Sequence, residues 1–585
     1  MLKTRAIEAP SSEELSQALG IYDRARLIVA TALVGLFSFV ILLPLLPVRV
    51  VEALAAYFVL RQDLPLVPIF IAALLIRPAM RGAPPSDSTF HPRLALCLTL
   101  IVILSLGWAG HYVVFDAYDF SRDEKMAVFD QQIFANGRLF WPIPLEWRPF
   151  ADALNRLFIL PIGDREFWVS AYLPVHAAFR AAMSEIGLAA LASPVMTALG
   201  AFCTWLIARK LWPDSNRTAL VSLLLLMTSS QVIITSMTAF SMSMHMALNM
   251  LWLALFLADR PRTHAAAILV GFLATGIHQP FFHPLFVLPF LALLFGQRRW
   301  KLFAFYIGCY AAIGSFWMLW PSWIASNGTA HAVAICATRN CESFGLVERL
   351  LVVLDLPNWQ SAWLTAANLL RFLLWQNPLL APLALAGAVT FWREDPLVRA
   401  LAASFVLPII VLAILLPWQG HGWGYRYVHP AMGSAIILGC FGYRHLETKG
   451  LSMGRPLMIA SALATIVLPV HAWMAARMVR PFVQMHAELT AIHADAVIVD
   501  TDVPLGHDVV YNRFDLTNRP KLLIGFYVKP EDLGHLCRNS TIAFVDAWRL
   551  APISTMFGHT VPKEASPYML ELRKTANRLN CRVVE

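Results

Sequence analysis

An aspartate and a glutamate stand side by side in SRDEKMAVFDQQIFANGRLF, residues 121–140, directly after an apolar stretch long enough to be a membrane span. A carboxylate near the membrane surface is suited to accept a proton from a substrate hydroxyl, which makes Asp123 a candidate catalytic base. Ser121 and Glu124 also have capping-box spacing, and acidic residues in a first helical turn are stabilised by the helix dipole. The spacing alone therefore leaves both a catalytic pair and a helix cap open.

Two arginines are candidates for binding a phosphate group. Arg148 lies in EWRPFAD and Arg426 lies in GYRYVHP. The planar guanidinium donates two parallel hydrogen bonds and therefore suits phosphate. On the residues alone, Arg148 is equally explained as a solvated loop charge and Arg426 as a charge that positions a span at the membrane interface.

Histidines raise the question of a metal site. His278 and His283 frame the segment HQPFFH, which contains a proline and lacks the i, i+4 spacing of helical metal ligands; His421 and His429 follow much later. We therefore expect hydrogen-bonded histidines and no metal. No cofactor motif and no nucleotide-binding glycine loop is evident, so no cofactor is expected.

The composition requires that most of the chain lie in a membrane. Of 585 residues, 58% are hydrophobic and 14% charged, and the mean hydropathy is +0.60. Helices are expected, because lipid offers no partner to open backbone groups. About thirteen spans are predicted, near residues 26–47, 53–76, 93–114, 187–208, 219–237, 241–258, 264–277, 281–296, 302–320, 372–392, 397–416, 428–446 and 456–476.

Charge patterning predicts the orientation. The net charge of +9 arises from basic residues at every second connection between spans, which is typical of cytoplasmic connections and not of a nucleic-acid surface. The amino terminus, residues 1–25, is then cytoplasmic. The loop 115–186, with residues 321–371 and 417–427, lies outside, and two amphipathic helices are expected in that first loop near 122–137 and 165–183.

The polar carboxyl-terminal residues, 481–585, are predicted to form a small α/β domain outside the cytoplasm. DAVIVDT, DVVYN, KLLIGF and TIAFVDA are typical of short strands, and PEDLGHLC and SPYMLELRKTANRL of helices. Four cysteines lie in predicted outside regions, and their placement favours two disulfides, Cys336 with Cys341 and Cys537 with Cys581, over free thiols.

Several of these motifs together resemble the GT-C superfamily of polyprenyl-phosphate-sugar-dependent glycosyltransferases. The pattern is most similar to the protein O-mannosyltransferases and the lipid A aminoarabinose transferase, over about residues 93–476. The Asp-Glu pair with its following Gly-Arg-Leu-Phe is similar to the family's first outside loop. GFLATGIHQPFFHPLFVLPFLALL resembles a family hairpin in which His278 replaces a lysine, and GYRYVHPAMGSAIIL resembles the family's Arg-Tyr-x-x-Pro.

The resemblance implies a domain plan and a set of roles. Residues 26–92 are two additional spans, and 93–480 form the GT-C-like membrane domain of a multi-pass inner-membrane protein. Asp123 is the implied base beside Glu124. The implied donor-phosphate ligands are Arg148, where relatives have Lys-Pro-Pro, with Arg426, Tyr427 and His278. The implied partners are a polyprenyl-phosphate-linked sugar, the bilayer and an unidentified glycan, lipid or protein acceptor, with no nucleic acid.

Three classes of function remain open from the sequence. The first is a glycosyltransferase that transfers the sugar, with inversion, to an acceptor hydroxyl on the periplasmic side. The others are a transporter or flippase of a lipid-linked glycan and a non-catalytic membrane scaffold. A transporter is expected to place paired charges within spans, whereas the acidic residues noted here concentrate in an outside loop. A scaffold needs no matched acid and arginines. The enzyme is therefore the favoured interpretation.

Overall fold

The computed structural model describes residues 12–47, 52–76, 91–160, 165–328, 358–561 and 563–584. Within them, seven helical segments are long and apolar enough to cross a membrane. A polytopic α-helical membrane protein is therefore confirmed, while the total of thirteen spans stays a prediction. The seven segments are Glu13–Leu45, Ala53–Leu75, Pro92–Val113, Ala189–Leu211, Trp300–Ile324, Pro396–Leu415 and Gly454–Thr490.

Further helices complete the membrane part. Asn216–Met227 and Ser230–Ser236 meet at 63° and form either a broken span or a re-entrant loop. Shorter helices cover most of the other predicted spans: Met242–Ala258, Pro261–Thr275, Phe282–Gly296, Leu380–Phe391 and Met432–Thr448. A further helix, Trp359–Leu374, lies mostly in residues 321–371, which the sequence predicted as an outside segment.

The second candidate span is broken in its middle. Helix Ala53–Phe58 passes through a π turn, Val59–Asp63, and a 3₁₀ turn, Leu64–Leu66, before helix Val67–Leu75 begins. Proline at position 65 has no amide hydrogen and cannot continue the hydrogen-bond ladder. The irregular turn brings the Asp63 carboxylate, which is fully buried, to 3.5 Å from the Arg371 guanidinium.

The loop 115–186 contains the two expected helices, one of them shorter than predicted. The first is Arg122–Ala135, designated α5 because it is the fifth α-helix among the described residues; the second, Val175–Glu185, begins about ten residues later than the sequence suggested. The reason is that Phe167–Trp168 pairs antiparallel with Trp141–Pro142, which keeps this segment extended.

The carboxyl-terminal region is a four-stranded parallel sheet with helices, so a small α/β unit is confirmed. Strands Ala496–Val499, Lys521–Ile524, Thr541–Val545 and Arg582–Val584 lie in the order second, first, third, fourth. The expected strand DVVYN is wrong, since a 3₁₀ turn, Gly506–Val509, occupies its start. Helices Leu533–Asn539, Ala551–Met556 and Pro567–Arg578 complete the unit.

The two predicted disulfides have different outcomes. Cys537, in helix Leu533–Asn539, is bonded to Cys581, which directly precedes the last strand, as expected. Cys336 and Cys341 lie outside the described residues, so that pair stays a prediction.

The apolar face of α5 is buried within the protein. Met126, Phe129 and Ile133 belong to one buried cluster that also includes Ile498 and Leu523 of the carboxyl-terminal sheet. The Phe129 ring contacts the Trp168 ring edge-on, with centroids 6.0 Å apart. The i, i+3, i+7 spacing of the three α5 residues is typical of a helix face that packs against a neighbour. The cluster thus joins α5 to the carboxyl-terminal region.

Two membrane helices approach too closely to allow side chains at their contact. A Cβ atom at Gly442, in Met432–Thr448, would lie 2.0 Å from the Leu383 carbonyl oxygen of Leu380–Phe391.

We expect Gly442→Ala to lower the melting temperature by an amount that corresponds to about 1–3 kcal/mol of overpacking. Gly308→Ala is the matched control, because that helical glycine has open space around it. Equal melting temperatures for the two variants in detergent would contradict this close contact.

Candidate active site

The start of α5 is built by its own cap. The Ser121 hydroxyl accepts a hydrogen bond from the Glu124 amide at 3.1 Å, and the Glu124 carboxylate accepts one from the Ser121 amide at 3.0 Å. The capping-box interpretation of Glu124 is therefore confirmed. The Glu124 side chain is therefore used in the helix cap. The neighbouring Asp123 side chain takes no part in the cap.

Asp123 is held by two residues from distant parts of the chain. Arg426 Nη1 donates to its Oδ2 at 2.5 Å, and the Tyr172 hydroxyl donates to its Oδ1. The Asp123 side chain retains 20% exposure, whereas Arg426 retains only 8%. The sequence-predicted acid and arginine are thus brought together as an ion pair that remains open on one side.

Electrostatics keep this aspartate charged. Burial favours the neutral carboxylic acid, but the Arg426 guanidinium and the Tyr172 hydroxyl outweigh it and hold the pKa of Asp123 below its usual value. Arg426 shows the reverse balance: burial opposes its charge, and Asp123 raises its pKa above the usual value. Both members of the pair are ionised at neutral pH.

A glycine-rich loop, residues 419–424 in the sequence QGHGWG, positions Arg426. The Gln419 side-chain oxygen accepts a hydrogen bond from the Arg426 amide at 3.0 Å. A Cβ atom at Gly422 would lie 2.8 Å from Arg426 Cδ, and Gly424 has φ +69°, a region that favours glycine. The loop can therefore wrap closely around the arginine side chain only with glycine at these positions.

A small, partly open cavity of about 20 Å³ lies beside the ion pair. Asp123, Tyr172 and His278 line it together with Asp130 and His176. The His278 ring packs edge-on against Tyr172 with centroids 5.2 Å apart, and its Nδ1 lies 3.0 Å from His245 Nε2. His278, predicted from the family hairpin, is therefore in the wall of the same cavity as Asp123.

Burial gives the groups around Asp123 different protonation states. It lowers the pKa of His278 to about 4, against the opposing charge of Asp123. It also raises the pKa of Asp130 to about 7 and, with help from Asp119, that of Glu124 to about 7. At neutral pH His278 is uncharged, and Asp123 differs from its acidic neighbours in being firmly ionised.

The other predicted phosphate ligands lie at different distances from this pair. Tyr427 is adjacent, and its hydroxyl accepts a hydrogen bond from Arg426 Nη2 at 3.5 Å. Arg148 makes other contacts: it lies 3.6 Å from Glu166, and its Nε donates to the Ile143 carbonyl oxygen at 3.2 Å. The structure does not show Arg148 at Asp123, and its role at a phosphate stays a prediction.

The four histidines considered as metal ligands have separate surroundings. His283 contacts Asn249 and Tyr310, His421 contacts Asp508, and His429 is fully buried. Within the described parts of the chain, no group of three or more His, Cys, Asp or Glu side chains is placed to hold a metal ion.

Sequence reasoning missed Asp508, which connects the carboxyl-terminal region to the site. Its buried carboxylate accepts from Arg122 Nε at 2.8 Å and lies 2.9 Å from His421 Nε2, while its carbonyl oxygen accepts from Lys125. Burial opposes its charge, but the contacts with His421 and the two cations hold the pKa of Asp508 well below its usual range. One residue thus holds both the start of α5 and the glycine-rich loop.

Sequence reasoning also missed Tyr172. It lies in VSAYLPV, within the helix predicted near 165–183, where no motif distinguishes it, and only the fold brings its hydroxyl to Asp123. Its ring stacks on Phe158 with centroids 4.9 Å apart.

Comparison with known proteins gives a limited result. No family model matches the chain, and no curated protein matches it. It is similar to two crystal structures of ArnT from Cupriavidus metallidurans. The structure bound to undecaprenyl phosphate is 12% identical, covers 83% of this chain and 88% of that chain, and has a TM-score of 0.45. The apo structure is 11% identical and covers 84% and 90%, with a TM-score of 0.43.

Removal of the Asp508 charge tests its importance. Asp508→Asn leaves Arg122 and His421 facing a neutral amide. Breaking a buried pair costs about 3–5 kcal/mol, and because Arg122 is 38% exposed the loss here is expected near the lower end of that range. We expect a clear fall in the melting temperature of the detergent-purified protein. Asp515→Asn is the control, because its pair with Arg513 lies at the surface, where such pairs contribute about 0–1 kcal/mol. Similar melting temperatures for both variants would refute the connecting role of Asp508.

Proposed function

We propose that the protein is an integral-membrane glycosyltransferase that moves a sugar from a polyprenyl-phosphate donor to an acceptor hydroxyl, with inversion at the anomeric carbon. The observation that carries the proposal is the Asp123–Arg426 pair at an open cavity: an ionised acid and a strong phosphate ligand in contact with each other. A scaffold does not need this pairing of a base with an anion ligand.

Arg426 has hydrogen-bonding capacity left for a phosphate. Its Nε is buried without a hydrogen-bond partner, and its Nη2 has only a long contact with Tyr427. An unpaired buried donor is unfavourable, so an incoming phosphate oxygen at this nitrogen would be stabilised. Tyr427 and neutral His278 are adjacent polar groups that can donate further hydrogen bonds to the phosphate.

The proposed reaction is a single displacement. Donor phosphate competes with Asp123 for the Arg426 guanidinium, which frees the carboxylate and raises its pKa toward the usual value. Asp123 then takes the proton of the acceptor hydroxyl while the acceptor oxygen forms a bond to the anomeric carbon. The bond from that carbon to the phosphate oxygen breaks on the opposite face, and polyprenyl phosphate leaves with the electron pair, stabilised by Arg426.

The location of the reaction follows from the charge pattern. In this proposal the loop 115–186, the glycine-rich loop and residues 481–585 lie on the periplasmic side of the inner membrane, and the amino terminus lies in the cytoplasm. The membrane domain extends over 93–480, after a segment, 26–92, that adds two spans. The acceptor class, whether glycan, lipid or protein, is tested most directly by mass spectrometry of envelope lipids, glycans and glycoproteins with and without the gene.

The transporter alternative has one observation in its favour. Asp63 and Arg371 form a buried charged pair, 0% and 2% exposed, and Asp63 lies in the broken middle of the candidate span Ala53–Leu75. However, Arg371 Nη2 also donates to the Gly422 carbonyl oxygen at 3.1 Å, so the pair is joined to the glycine-rich loop. It supports that loop and does not form a relay of charges along a span.

Substitution at α5 separates the base from the cap. Asp123→Asn removes the proton acceptor, and we expect a loss of roughly 10²–10⁴-fold in rate, the range for general-base catalysis. Glu124→Gln is the matched control with a much smaller loss, because glutamine can still accept the Ser121 amide hydrogen bond. Arg426→Lys is expected to weaken donor use, since lysine lacks the planar fork.

The measurement is release of polyprenyl phosphate from a panel of lipid-linked sugars, with melting temperatures to establish folding. Near wild-type turnover by Asp123→Asn would assign the base to another acid. Full activity after loss of each acid in the loop would instead favour the transporter.

The pH profile identifies the base independently. The pKa of Asp123 lies below its usual value of about 3.9, so kcat/KM, which reports the free enzyme, is expected to stay level from pH 8 down to about pH 5. The acid limb of kcat is expected at higher pH, because bound phosphate draws Arg426 away from Asp123. A base at Glu124 or Asp130, each with a pKa of about 7, would instead halve kcat/KM near neutrality.

A further inference from the structure

A larger cavity lies away from Asp123, at the boundary between membrane helices and the carboxyl-terminal region. This interface groove has a volume of about 570 Å³. It is formed by the broken second span, the outer part of Gly454–Thr490 and helix Ala551–Met556. Its lining residues are Tyr57, Leu60, Arg61, Gln62, Pro65, Trp473, Met474, Arg477, Pro481, Pro552, Thr555 and Met556.

Two cations face this groove. Arg61 and Arg477 are both exposed, and neither has an acidic partner within 4 Å among the residues that the structure describes. The Arg477 guanidinium lies 5.5 Å from the centre of the Trp473 ring, which holds it at the groove wall. Both arginines raise the positive potential of one cavity, and within the described chain no carboxylate pairs with them.

A buried amide in the groove wall also lacks a partner. Gln62 is 1% exposed, and its Nε2 has no hydrogen-bond partner. Its Oε1 accepts from Arg371 Nη2 at 3.4 Å, which leaves the amide hydrogens as the free donors. A buried donor of this kind is unfavourable without an acceptor. The groove therefore presents two cations and one unsatisfied donor to an anionic oxygen.

The remaining walls are largely apolar, and Trp473 lies near the end of the span predicted at 456–476. Leu60 is 50% exposed and Trp473 is 55% exposed, and both belong to candidate membrane spans. Tryptophan is enriched where a bilayer meets water, and arginines there contact lipid headgroups. Met474 and Met556 extend the apolar surface along the groove. This combination of charge and apolar wall fits an amphipathic anion better than a soluble one.

We infer that the interface groove binds the phosphate headgroup of a membrane lipid. Arg61 and Arg477 contact the phosphate oxygens, the Gln62 amide donates a hydrogen bond to one of them, and the acyl chains lie along Leu60, Trp473 and the two methionines. The groove shares no lining residue with the Asp123 cavity. The inference that it binds lipid therefore does not depend on the proposed glycosyl transfer.

The test is native mass spectrometry of the full-length, delipidated protein in detergent, titrated with dioleoyl phosphatidic acid. The parallel ligand is dioleoylglycerol, which has the same chains without phosphate. We expect the phosphatidic acid to bind more tightly than dioleoylglycerol. The double variant Arg61→Gln, Arg477→Gln is expected to lose at least about tenfold in affinity, because hydrogen bonds to charged groups contribute about tenfold each.

Two further variants make the test specific. Arg480→Gln removes an exposed arginine from the same helix that does not line the groove, and its affinity is expected to stay within about twofold of wild type. Gln62→Glu keeps the acceptor for Arg371 but replaces the free donor by a negative charge, so weaker binding is expected. Melting temperatures establish that each variant is folded.

Three results would overturn the inference: unchanged affinity in the double variant, equal binding of dioleoylglycerol, or an equal effect of Arg480→Gln. Glycerol 3-phosphate and inorganic phosphate separate the two sources of the anion. If either displaces the lipid at an equal concentration, the groove is a site for soluble phosphate and not for lipid.

Discussion

The ion pair of Asp123 and Arg426 joins residues 303 positions apart and sets the requirements for the surrounding structure. Removing two charges from water costs several kcal/mol per ion, and attraction offsets this only with good geometry and additional hydrogen bonds. Tyr172 supplies one such bond to the carboxylate, and the α5 cap fixes the backbone from which Asp123 projects. The glycine-rich loop supplies the close wrapping that the arginine needs.

Asp508 makes the carboxyl-terminal region part of this arrangement. The two segments that carry the ion pair also carry three basic groups, Arg122, Lys125 and His421, which contact one buried aspartate residue. Without it, the start of α5 would present two cations, and the glycine-rich loop a histidine ring, to the same buried space. The carboxyl-terminal sheet therefore also contributes to the electrostatics of the site. Its connecting turn, Gly506–Val509, carries the Asp508 carboxylate, which offsets the positive charge at the start of α5.

Local patterns in the sequence predicted the features that local chemistry determines. Capping-box spacing predicted the start of α5, apolar periodicity predicted its buried face, and the pairing of Cys537 with Cys581 was also correct. Tyr172 and Asp508 could not be found in this way, because their importance arises from contacts 49 and 386 residues along the chain. The late start of the second loop helix has a similar cause, since strand pairing overrode the helical pattern.

Contact between the candidate base and the candidate phosphate ligand has a consequence for the order of the proposed reaction. While Arg426 holds Asp123, the carboxylate is a weak base and the guanidinium is partly occupied. Donor phosphate offers Arg426 an equivalent charge, so exchange of partners loses little attraction and fills the unpaired Nε. The carboxylate that is released is then the stronger base. An acceptor hydroxyl that arrives first meets a neutralised aspartate, so the ion pair itself favours activation of the acceptor only after the donor has bound.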